Sequence, residues 1–222
     1  CEAKKSEWHA FRQERTAIGA LSDEAWNREI LTQPTAVAIA QAFARKVNAL
    51  KVFDAGDVQA NGFQVNDDNS PFETVTESGA SFMGFAASSL LAAAAADKPR
   101  YMIAFSGDGS FMMNPQILID GAQHGVHAMV IVFDNRRMGA ISSLQQAQYG
   151  QDYGSNDHVE VDYAAMANAV KGVKGIFGGT TPEQFRKTLE DAYAHKGLSV
   201  VHVPVFWGEE EKAGMGAYGR WN

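Results

Sequence analysis

The chain has 222 residues, of which 45% are hydrophobic and 20% charged, so it can bury the core of one large soluble domain. Its formal net charge of −7 argues against a nucleic-acid or membrane-surface partner, because both are negatively charged. The single cysteine excludes an internal disulfide and is typical of a reducing compartment. No secretory signal is visible, so we expect a cytoplasmic protein.

Residues 1–33 are charged and predict a helix, a turn and an extended lead-in, which we interpret as a linker or N-terminal extension. The main domain is predicted over 34–205 and the C-terminal tail over 206–222. Helices are predicted over 33–47, 82–96, 115–125, 162–170 and 181–195; strands over 50–56, 100–107, 127–135, 174–179 and 198–206; and loops over 57–79 and 145–160. Strands that alternate with helices indicate an α/β fold, with a mainly parallel sheet between two layers of helices.

Two predicted strand ends carry the most informative polar residues. Asp108, flanked by Gly107 and Gly109, follows one strand, and Asn135 follows the next. Ligands of open α/β sheets bind at the carboxyl ends of strands, and carboxylate and amide oxygens suit Mg²⁺ with a phosphate completing its shell. Ser110 and the amides after it would hold a phosphate near a helix start. Gly-Asp-Gly alone is also typical of an ordinary turn, but the combination favours a bound magnesium–phosphate group.

This pattern resembles the thiamine diphosphate motif of the decarboxylase and acetolactate-synthase superfamily, in which Gly-Asp-Gly is followed at a similar interval by Asn. The flanking stretch "ESGASFMGFAASSLLAAAAADKPRYMIAFSGDGSF" is similar as well, and the resemblance covers roughly residues 33–205. Shorter stretches ("ESGASFMG", "AGDVQ", "VIVFDN" and "AISSLQ") resemble trihydroxycyclohexanedione hydrolases, which split a C–C bond of a cyclic 1,2-dione with water. The resemblance implies the thiamine diphosphate-binding fold, with thiamine diphosphate and Mg²⁺ as cofactors.

Site residues follow from the resemblance by position. Asp108, the Asn135 side chain and the main-chain carbonyl of Arg137 would ligate Mg²⁺. Met83 would support the bent conformation of the cofactor, and Ile141 would line the substrate pocket, where some relatives carry a catalytic acid. The other cofactor-binding residues that the resemblance implies are Gly56, Asp57, Ser81, Gly107, Gly109, Ser110, Met138, Gly139 and Ala140.

Three further residues or segments carry expectations of their own. Asp134 stands where many relatives have the first of two Asn, and we expect it to turn the chain. His158 follows the motif in a loop, from which it could approach the substrate. The Gly-rich tail, 206–222, would fold over the active site as a lid.

The resemblance also implies an incomplete enzyme. In the superfamily, a Glu that activates the cofactor lies on a separate pyrimidine-binding domain, and this sequence resembles the diphosphate-binding domain alone. We therefore expect that Glu on a partner chain or on a missing segment, in a homo- or hetero-oligomer such as a dimer of pairs. The expected substrate is a small 2-oxo compound, with no nucleic-acid or membrane partner.

Several functions remain open at this point. A C–C hydrolase of cyclic 1,2-diones or an acetolactate synthase-like carboligase is favoured, because Ala140 and Ile141 offer no proton to a decarboxylase that needs an acid there. A 2-oxoacid decarboxylase subunit is the alternative. A nucleotide-binding Rossmann-like module would need a Gly-x-Gly-x-x-Gly turn after the first strand, which the sequence lacks. The intact pair of Asp108 and Asn135 argues against a non-catalytic subunit.

Overall fold

The computed structural model describes residues 2–77, 79–155 and 159–208. The described strands are β1 (Ala20–Asp23), β2 (Arg28–Thr32), β3 (Leu50–Phe53), β4 (Thr74–Thr76), β5 (Met102–Gly107), β6 (Ala128–Asp134), β7 (Lys174–Phe177) and β8 (Leu198–Phe206). The described helices are α1 (Glu2–Ala17), α2 (Gln33–Lys46), α3 (Asp57–Val65), α4 (Phe85–Ser89), α5 (Ala92–Ala95), α6 (Asp108–Phe111), α7 (Ile117–Gln123), α8 (Gly139–Tyr149), α9 (Tyr163–Asn168) and α10 (Pro182–Tyr193).

The strands form one mainly parallel sheet in the order β1-β2-β8-β6-β5-β3-β4, and β7 also pairs with β8. Among the described pairs, β1 with β2 is antiparallel and the others are parallel. The central strand β6 is buried along its whole length, as expected for an apolar strand that is covered on both faces. Gly107 of β5 lies opposite Phe133 of β6, so both strands end at the same edge of the sheet.

Helices cover both faces of this sheet, which confirms the predicted three-layer α/β/α architecture. Ile131 points into a core that it shares with residues of α2, α3 and α10. Its neighbour Val132 points into the opposite core, with residues of α4, α7 and α9. The helix predicted over 181–195 is present as α10, and it begins with a capping box between Thr181 and Gln184.

The prediction of a loop over 57–79 was wrong, because the structure forms α3 and the short edge strand β4 there. The buried face of α3 includes Asp57, Asn61 and Gln64, so hydrophobic periodicity could not reveal the helix. Gly62 is also in α3, and a Cβ there would lie 2.5 Å from the Phe53 ring. The residue that lowers helix propensity therefore allows the helix to pack closely on β3.

The Ala-rich segment predicted as one buried helix is instead divided into α4 and α5, and its exposed end lies beyond Ala93. The Ser88 hydroxyl donates to the Gly84 carbonyl and the Ser89 hydroxyl to the Ala86 carbonyl, at 2.6 and 2.7 Å. Such side-chain bonds compete with regular helix bonds. No helix in the described ranges combines the length and the apolar character that a membrane span requires.

The prediction of a loop over 145–160 was wrong in its first part, because α8 continues to Tyr149. The helix then ends at Gly150, whose φ of 70° is in the left-handed region. The buried residues of α8, Gly139, Ser142 and Ser143, are small and mostly polar, so the segment lacks the apolar stripe that would have revealed it.

Residues 2–32 contain α1 and the β1–β2 hairpin. Leu31 of the hairpin pairs with Val205 of β8 in a parallel arrangement, so the N-terminal segment extends the sheet. The next residue after β2 is Gln33, at the same carboxyl edge as the ends of β3, β5 and β6.

Candidate cofactor site

A cavity of about 360 Å³ opens at the carboxyl edge of the sheet, where β3, β5 and β6 end. The cavity is lined by all of the residues that the sequence predicted for cofactor, metal and substrate contact: Gly56, Asp57, Ser81, Met83, Gly107, Asp108, Gly109, Ser110, Asn135, Arg137, Met138, Gly139, Ala140 and Ile141. Residues that are up to 85 positions apart in the chain therefore share one surface. The role of each of them stays a prediction.

Asp108 and Asn135 come from neighbouring strand ends. Asp108 starts α6 directly after β5, Asn135 follows β6, and both side chains are buried. The Asn135 Oδ1 accepts a hydrogen bond from the backbone N–H of Arg137 at 3.0 Å. Across the described ranges no three His, Cys, Asp or Glu residues form a metal-binding cluster. A cation here would thus combine one carboxylate with amide and main-chain oxygens, which are the hard donors that Mg²⁺ prefers.

Glycines leave room around these two side chains. A Cβ at Gly56 or at Gly107 would meet no atom within 4 Å, so both backbones face open space in the cavity. A Cβ at Gly139 would instead collide with the Asp57 carboxylate and would lie 3.0 Å from the Asn135 amide nitrogen. A phosphate group can therefore reach the backbone at Gly56 and Gly107, while Gly139 lets α8 begin against the site.

Two methionines form the wall beside Gly109. A Cβ at Gly109 would lie 2.7 Å from the Met138 Sδ and 3.5 Å from the Met83 Cε. The two thioether side chains thus meet over a backbone position that has no side chain of its own. Met83 therefore forms an apolar part of the cavity wall, and its role as a support for the cofactor stays a prediction.

The turn that presents Met83 is held by Asp54, which the sequence analysis did not single out. The buried Asp54 carboxylate accepts hydrogen bonds from the Gly84 N–H at 2.9 Å and from the Ser106 hydroxyl at 2.7 Å. Burial raises the pKa of Asp54 and the hydrogen bond from Ser106 opposes that rise. Its position directly after β3 is the signal that could have identified it.

Ser81 lies in a loop that is organised by Glu77. The Glu77 carboxylate accepts hydrogen bonds from the N–H groups of Ala80 and Gly79, each at 2.7 Å, and of Phe82 at 2.9 Å. These backbone bonds, that of Ala80 first, hold the pKa of Glu77 below its ordinary value. Ser81 itself has a φ of 51°, which non-glycine residues rarely adopt, so the loop is held in a specific conformation.

Asp57 places a second carboxylate in the cavity. It is 8% exposed, and its Oδ1 has no hydrogen-bond partner in the described part of the chain. Burial raises its pKa to about 6, and the positive charge of Arg15 opposes the rise. Because this value is below 7, the carboxyl group is still mostly ionised at neutral pH, and an anion bound beside it would favour its protonation.

A buried polar chain connects α1 to the cavity, and sequence reasoning missed it. Arg15 is 1% exposed and donates a hydrogen bond to the side-chain oxygen of Asn61. The Asn61 amide in turn donates to Gln33, which lines the cavity. The other lining residues that were not predicted are Ala55, Val58, Gln59, Phe133 and Leu144. Gln33 could have been found by its position after β2, had that segment been interpreted as a parallel strand.

The turn over 134–137 is braced from outside the cavity. The guanidinium groups of Arg136 and Arg137 stack on Trp26 and Trp207, each at 3.8 Å from the ring centroid. Arg137 also pairs with Asp152 at 3.1 Å. The predicted role of Arg137 uses its main-chain carbonyl, which these side-chain contacts leave available.

Two expectations fall on residues that the structure does not describe. His158, expected near the substrate, lies outside the described residues. The same is true of residues 209–222, which are most of the proposed lid.

Comparison with known proteins identifies the family to which most of the sheet and the cavity belong. The family model "Thiamine pyrophosphate enzyme, C-terminal TPP binding domain" matches residues 54–203. Thiamine pyrophosphate (TPP) is another name for thiamine diphosphate. The matched segment runs from Asp54, directly after β3, to Val203 in β8, so it includes both strand ends that carry Asp108 and Asn135.

Curated relatives are longer than this chain. The 3D-(3,5/4)-trihydroxycyclohexane-1,2-dione hydrolase of Shouchella clausii is 31% identical over 143 residues, which are 62% of this chain and 22% of the relative. The large subunit of acetolactate synthase isozyme 1 from Escherichia coli is 32% identical over 104 residues, 47% of this chain and 18% of the relative. The chain therefore spans about a fifth of the length of these relatives.

Two solved structures share the fold. Benzoylformate decarboxylase from Polynucleobacter necessarius aligns with a TM-score of 0.69 and 21% identity, covering 79% of this chain and 33% of that one. The thiamine diphosphate-dependent 4-hydroxybenzoylformate decarboxylase of Rhodococcus jostii RHA1 aligns with a TM-score of 0.73 and 20% identity, covering 86% and 35%. Because the family match spans well over half of the sequence, the chain belongs to the thiamine pyrophosphate enzymes and contains their C-terminal TPP-binding domain.

Proposed function

We propose that this chain anchors the diphosphate of thiamine diphosphate through Mg²⁺ and works in an enzyme that cleaves or forms a C–C bond next to a carbonyl. The observation that carries the proposal is the convergence of Asp108, Asn135 and Arg137 with open glycine backbone in one cavity. The family match supports the cofactor. The metal and the reaction go beyond that match.

The residues present fit this group. Asp108 would give a carboxylate oxygen, Asn135 an amide oxygen and Arg137 its main-chain carbonyl, a set of hard donors suited to Mg²⁺. The unobstructed backbone at Gly56 and Gly107 would accept the diphosphate without steric conflict. The nearly buried Asp57 would tolerate the nearby anion when its carboxyl group is protonated.

The cavity also suits the reactive part of the cofactor. When bound, thiamine diphosphate supplies a carbon nucleophile that adds to a carbonyl and accepts the electrons of the broken C–C bond. Met83 and Met138 would hold its rings, and Phe133, Ile141 and Leu144 would exclude water from the reacting groups. The protein's contribution is thus orientation and a water-poor environment.

For the reaction itself, we favour a C–C hydrolase of cyclic 1,2-diones, with an acetolactate synthase-like carboligase close behind. Support comes from the relatives named trihydroxycyclohexanedione hydrolase and acetolactate synthase. Ala140 and Ile141 line the cavity and carry no ionisable group, so they supply no acid for a decarboxylase of the type that uses one there. A 2-oxoacid decarboxylase subunit is the second candidate, and the fold shared with benzoylformate decarboxylase keeps it open.

We further propose that a pyrimidine-binding domain, carrying the activating Glu, covers the cavity. Four large apolar side chains are exposed at the cavity or beside it. Ile141 and Leu144 line the cavity. Phe82 and Met113 line an adjoining hollow that shares Ser81 and Met83 with the cavity. We call these four residues the apolar rim. Exposed apolar groups of this kind are typical of a surface that another domain covers.

The test is a titration of the assembled protein with thiamine diphosphate, with and without Mg²⁺, followed by calorimetry. We expect Mg²⁺-dependent binding that Asp108→Ala weakens at least about tenfold, because second-shell and ligand changes at metal sites have effects of that size or more. Asp97→Ala removes an exposed carboxylate outside the cavity and should leave binding unchanged. Absence of binding by the wild type, or equal binding by Asp108→Ala, would contradict the proposed function.

The reaction class needs a separate experiment. Cyclic 1,2-diones and linear 2-oxoacids are supplied to the assembled protein, and ring opening and CO₂ release are measured. Ring opening without CO₂ release supports the hydrolase. Release of CO₂ from linear 2-oxoacids, without carboligation, favours the decarboxylase instead.

A further inference from the structure

A buried histidine–aspartate pair lies directly behind the turn that carries the predicted metal ligands. The His202 Nε2, on β8, is 2.8 Å from the Asp134 Oδ2 at the end of β6, and both side chains are buried. Asp134 immediately precedes Asn135. His202 does not line the cavity. Its connection to the site runs through Asp134.

Asp134 joins β8 to this turn through its two oxygens. While Oδ2 faces His202, Oδ1 accepts a hydrogen bond from the backbone N–H of Arg136 at 3.0 Å. Arg136 has a φ of 53°, a left-handed conformation that is unfavourable for arginine. A conformation of this kind persists only where its surroundings hold it, and the Asp134 carboxylate is one of the groups that do so.

The His202 ring is itself fixed in orientation. Its centroid lies 5.1 Å from that of Tyr163, 5.8 Å from Phe177 and 6.1 Å from Trp26. Its Nδ1 is buried and has no hydrogen-bond partner in the described part of the chain. Nε2 therefore carries a hydrogen and donates it to Asp134, because the tautomer with its hydrogen on Nδ1 alone would bury an unpaired N–H and set two acceptors against each other.

We propose that His202 is a positioning residue of the metal site. Through Asp134 it holds the 134–137 turn so that the Asn135 side chain and the Arg137 carbonyl face one cation. A buried pair of this kind adds little net stability compared with apolar residues of the same size, so its value lies in orientation. The inference rests on the proposed function, since it concerns the same Mg²⁺–diphosphate site.

The test compares variants of His202 in the assembled protein. His202→Phe and His202→Met remove the N–H donor and fill the space, whereas His202→Gln keeps an N–H donor near the position of Nε2. Ser199→Ala is the control, because it removes a buried hydrogen bond of the same strand, to the Ala192 carbonyl at 2.9 Å, away from the turn. Two quantities are measured: the Mg²⁺ concentration that half-saturates thiamine diphosphate binding, and the thermal unfolding midpoint without Mg²⁺.

We expect His202→Phe and His202→Met to raise the half-saturating Mg²⁺ concentration by about tenfold or more, the usual effect of losing a group that orients a metal ligand. His202→Gln should stay within about threefold of the wild type, a small part of that effect. Ser199→Ala should lower the unfolding midpoint and leave the Mg²⁺ dependence unchanged. A donor-free variant with wild-type Mg²⁺ dependence, or equal losses in the Gln and Phe variants, would overturn the inference.

Asp134 provides the same test if the donor-free His202 variants do not fold. Asp134→Asn keeps an oxygen for the Arg136 N–H but sets an amide N–H against the His202 donor, and Asp134→Ala removes both hydrogen bonds. We expect the half-saturating Mg²⁺ concentration to rise in both variants, and more in the Ala variant. Wild-type Mg²⁺ dependence in the Asn variant would overturn the inference. If the wild type does not bind thiamine diphosphate, the proposed function fails, and that outcome is distinct from a failure of the inference about His202.

Discussion

At the scale of single residues, the site depends on where side chains are missing. Gly107 has an extended φ of −73°, which any residue adopts, and a Cβ there would meet no atom within 4 Å. The backbone therefore does not require glycine at this position. The open space in the cavity does, if a diphosphate occupies it.

We predict that Gly107→Ala folds normally and binds thiamine diphosphate at least about tenfold more weakly, equivalent to about 1.4 kcal/mol. Its free energy of unfolding should stay within about 0.5 kcal/mol of the wild type, because the new methyl group touches nothing. Calorimetry gives the affinity and urea denaturation gives the stability. Gly19→Ala is the matched control, since its Cβ would also meet no atom within 4 Å and it does not line the cavity. If Gly107→Ala binds thiamine diphosphate as tightly as the wild type does, the diphosphate lies elsewhere.

Asp57 makes the stability of the cofactor-free chain depend on pH. Its folded-state pKa of about 6 is above the ordinary value of 3.8, so between these values the folded chain keeps a proton that the unfolded chain has lost. Stability therefore falls as pH rises through this window, and the loss is complete above about pH 6. For a shift of this size the loss is about 3 kcal/mol.

We predict that Asp57→Asn removes this dependence, because asparagine resembles the protonated acid and does not ionise. The two chains should be similarly stable near pH 4, and the variant should be more stable by up to about 3 kcal/mol at pH 7. Urea denaturation of both proteins between pH 4 and 7.5 measures the difference, in which the contributions of the other carboxyl groups cancel. Parallel stability curves over this range would show that burial does not perturb Asp57.

At the scale of secondary-structure elements, sequence patterns identified elements with apolar runs and missed elements whose buried face is polar. The strands β5 and β6 are apolar runs that end directly before Asp108 and Asn135, so both the strands and the site residues could be predicted from the sequence. α3 was missed because its buried face carries Asp57 and Asn61. Asp57 lines the cavity, and Asn61 is bonded to Arg15 and Gln33; these surroundings exist in the folded chain alone.

Helix α1 also shows that burial of a polar side chain cannot be predicted from the local sequence when its partner is distant in the chain. Arg15 lies in a charged, amphipathic segment, and nothing in its local sequence separates it from the half-buried Arg12 three residues earlier. In the structure Arg15 is buried against Asn61, 46 positions away, whereas Arg12 pairs with Asp67 near the surface. Partners at such distances in the sequence cannot be assigned without the fold.

The two arginines of α1 provide a comparison on one helix. We predict that Arg15→Met lowers the free energy of unfolding by about 3 kcal/mol at pH 7, because it leaves buried polar partners unpaired. Arg12→Met should cost less than about 1 kcal/mol, since it removes only a partly exposed ion pair. Chemical denaturation measures both, and equal effects would show that the buried chain from Arg15 to Gln33 does not stabilise the fold.

At the scale of the whole molecule, the parallel sheet explains why distant residues share one cavity. The strands that run parallel to one another all end at the same edge, so Gln33, Asp57, Asp108 and Asn135 line one cavity although other elements separate them in the chain. The alternation of strands and helices made this edge predictable from sequence. The contribution of the β1–β2 hairpin was not predictable in the same way, because its two short strands carry no long apolar run.

The apolar rim makes a prediction about assembly. Leu144 is 54% exposed and lines the cavity, and Ile119 is 50% exposed but lies outside it. Leu144→Asp should weaken association with the proposed pyrimidine-binding domain by about 1–3 kcal/mol, the cost of burying a polar group without a partner. Ile119→Asp should leave association unchanged. Analytical ultracentrifugation of the mixed components measures both, and equal association of the two variants would place the partner on another surface.

The two stacks of arginine on tryptophan also allow the turn to be followed by intrinsic tryptophan fluorescence. Trp26 and Trp207 each lie 3.8 Å from a guanidinium group, and the two arginines are consecutive residues of the turn that holds the predicted metal ligands. Indole fluorescence responds to the position of a nearby positive charge. We therefore expect a small shift of this turn to change the wavelength and intensity of the tryptophan emission. Trp8, on α1, can be replaced by Phe to reduce background emission. Events at this edge of the sheet can then be followed in real time, without a dye and without turnover.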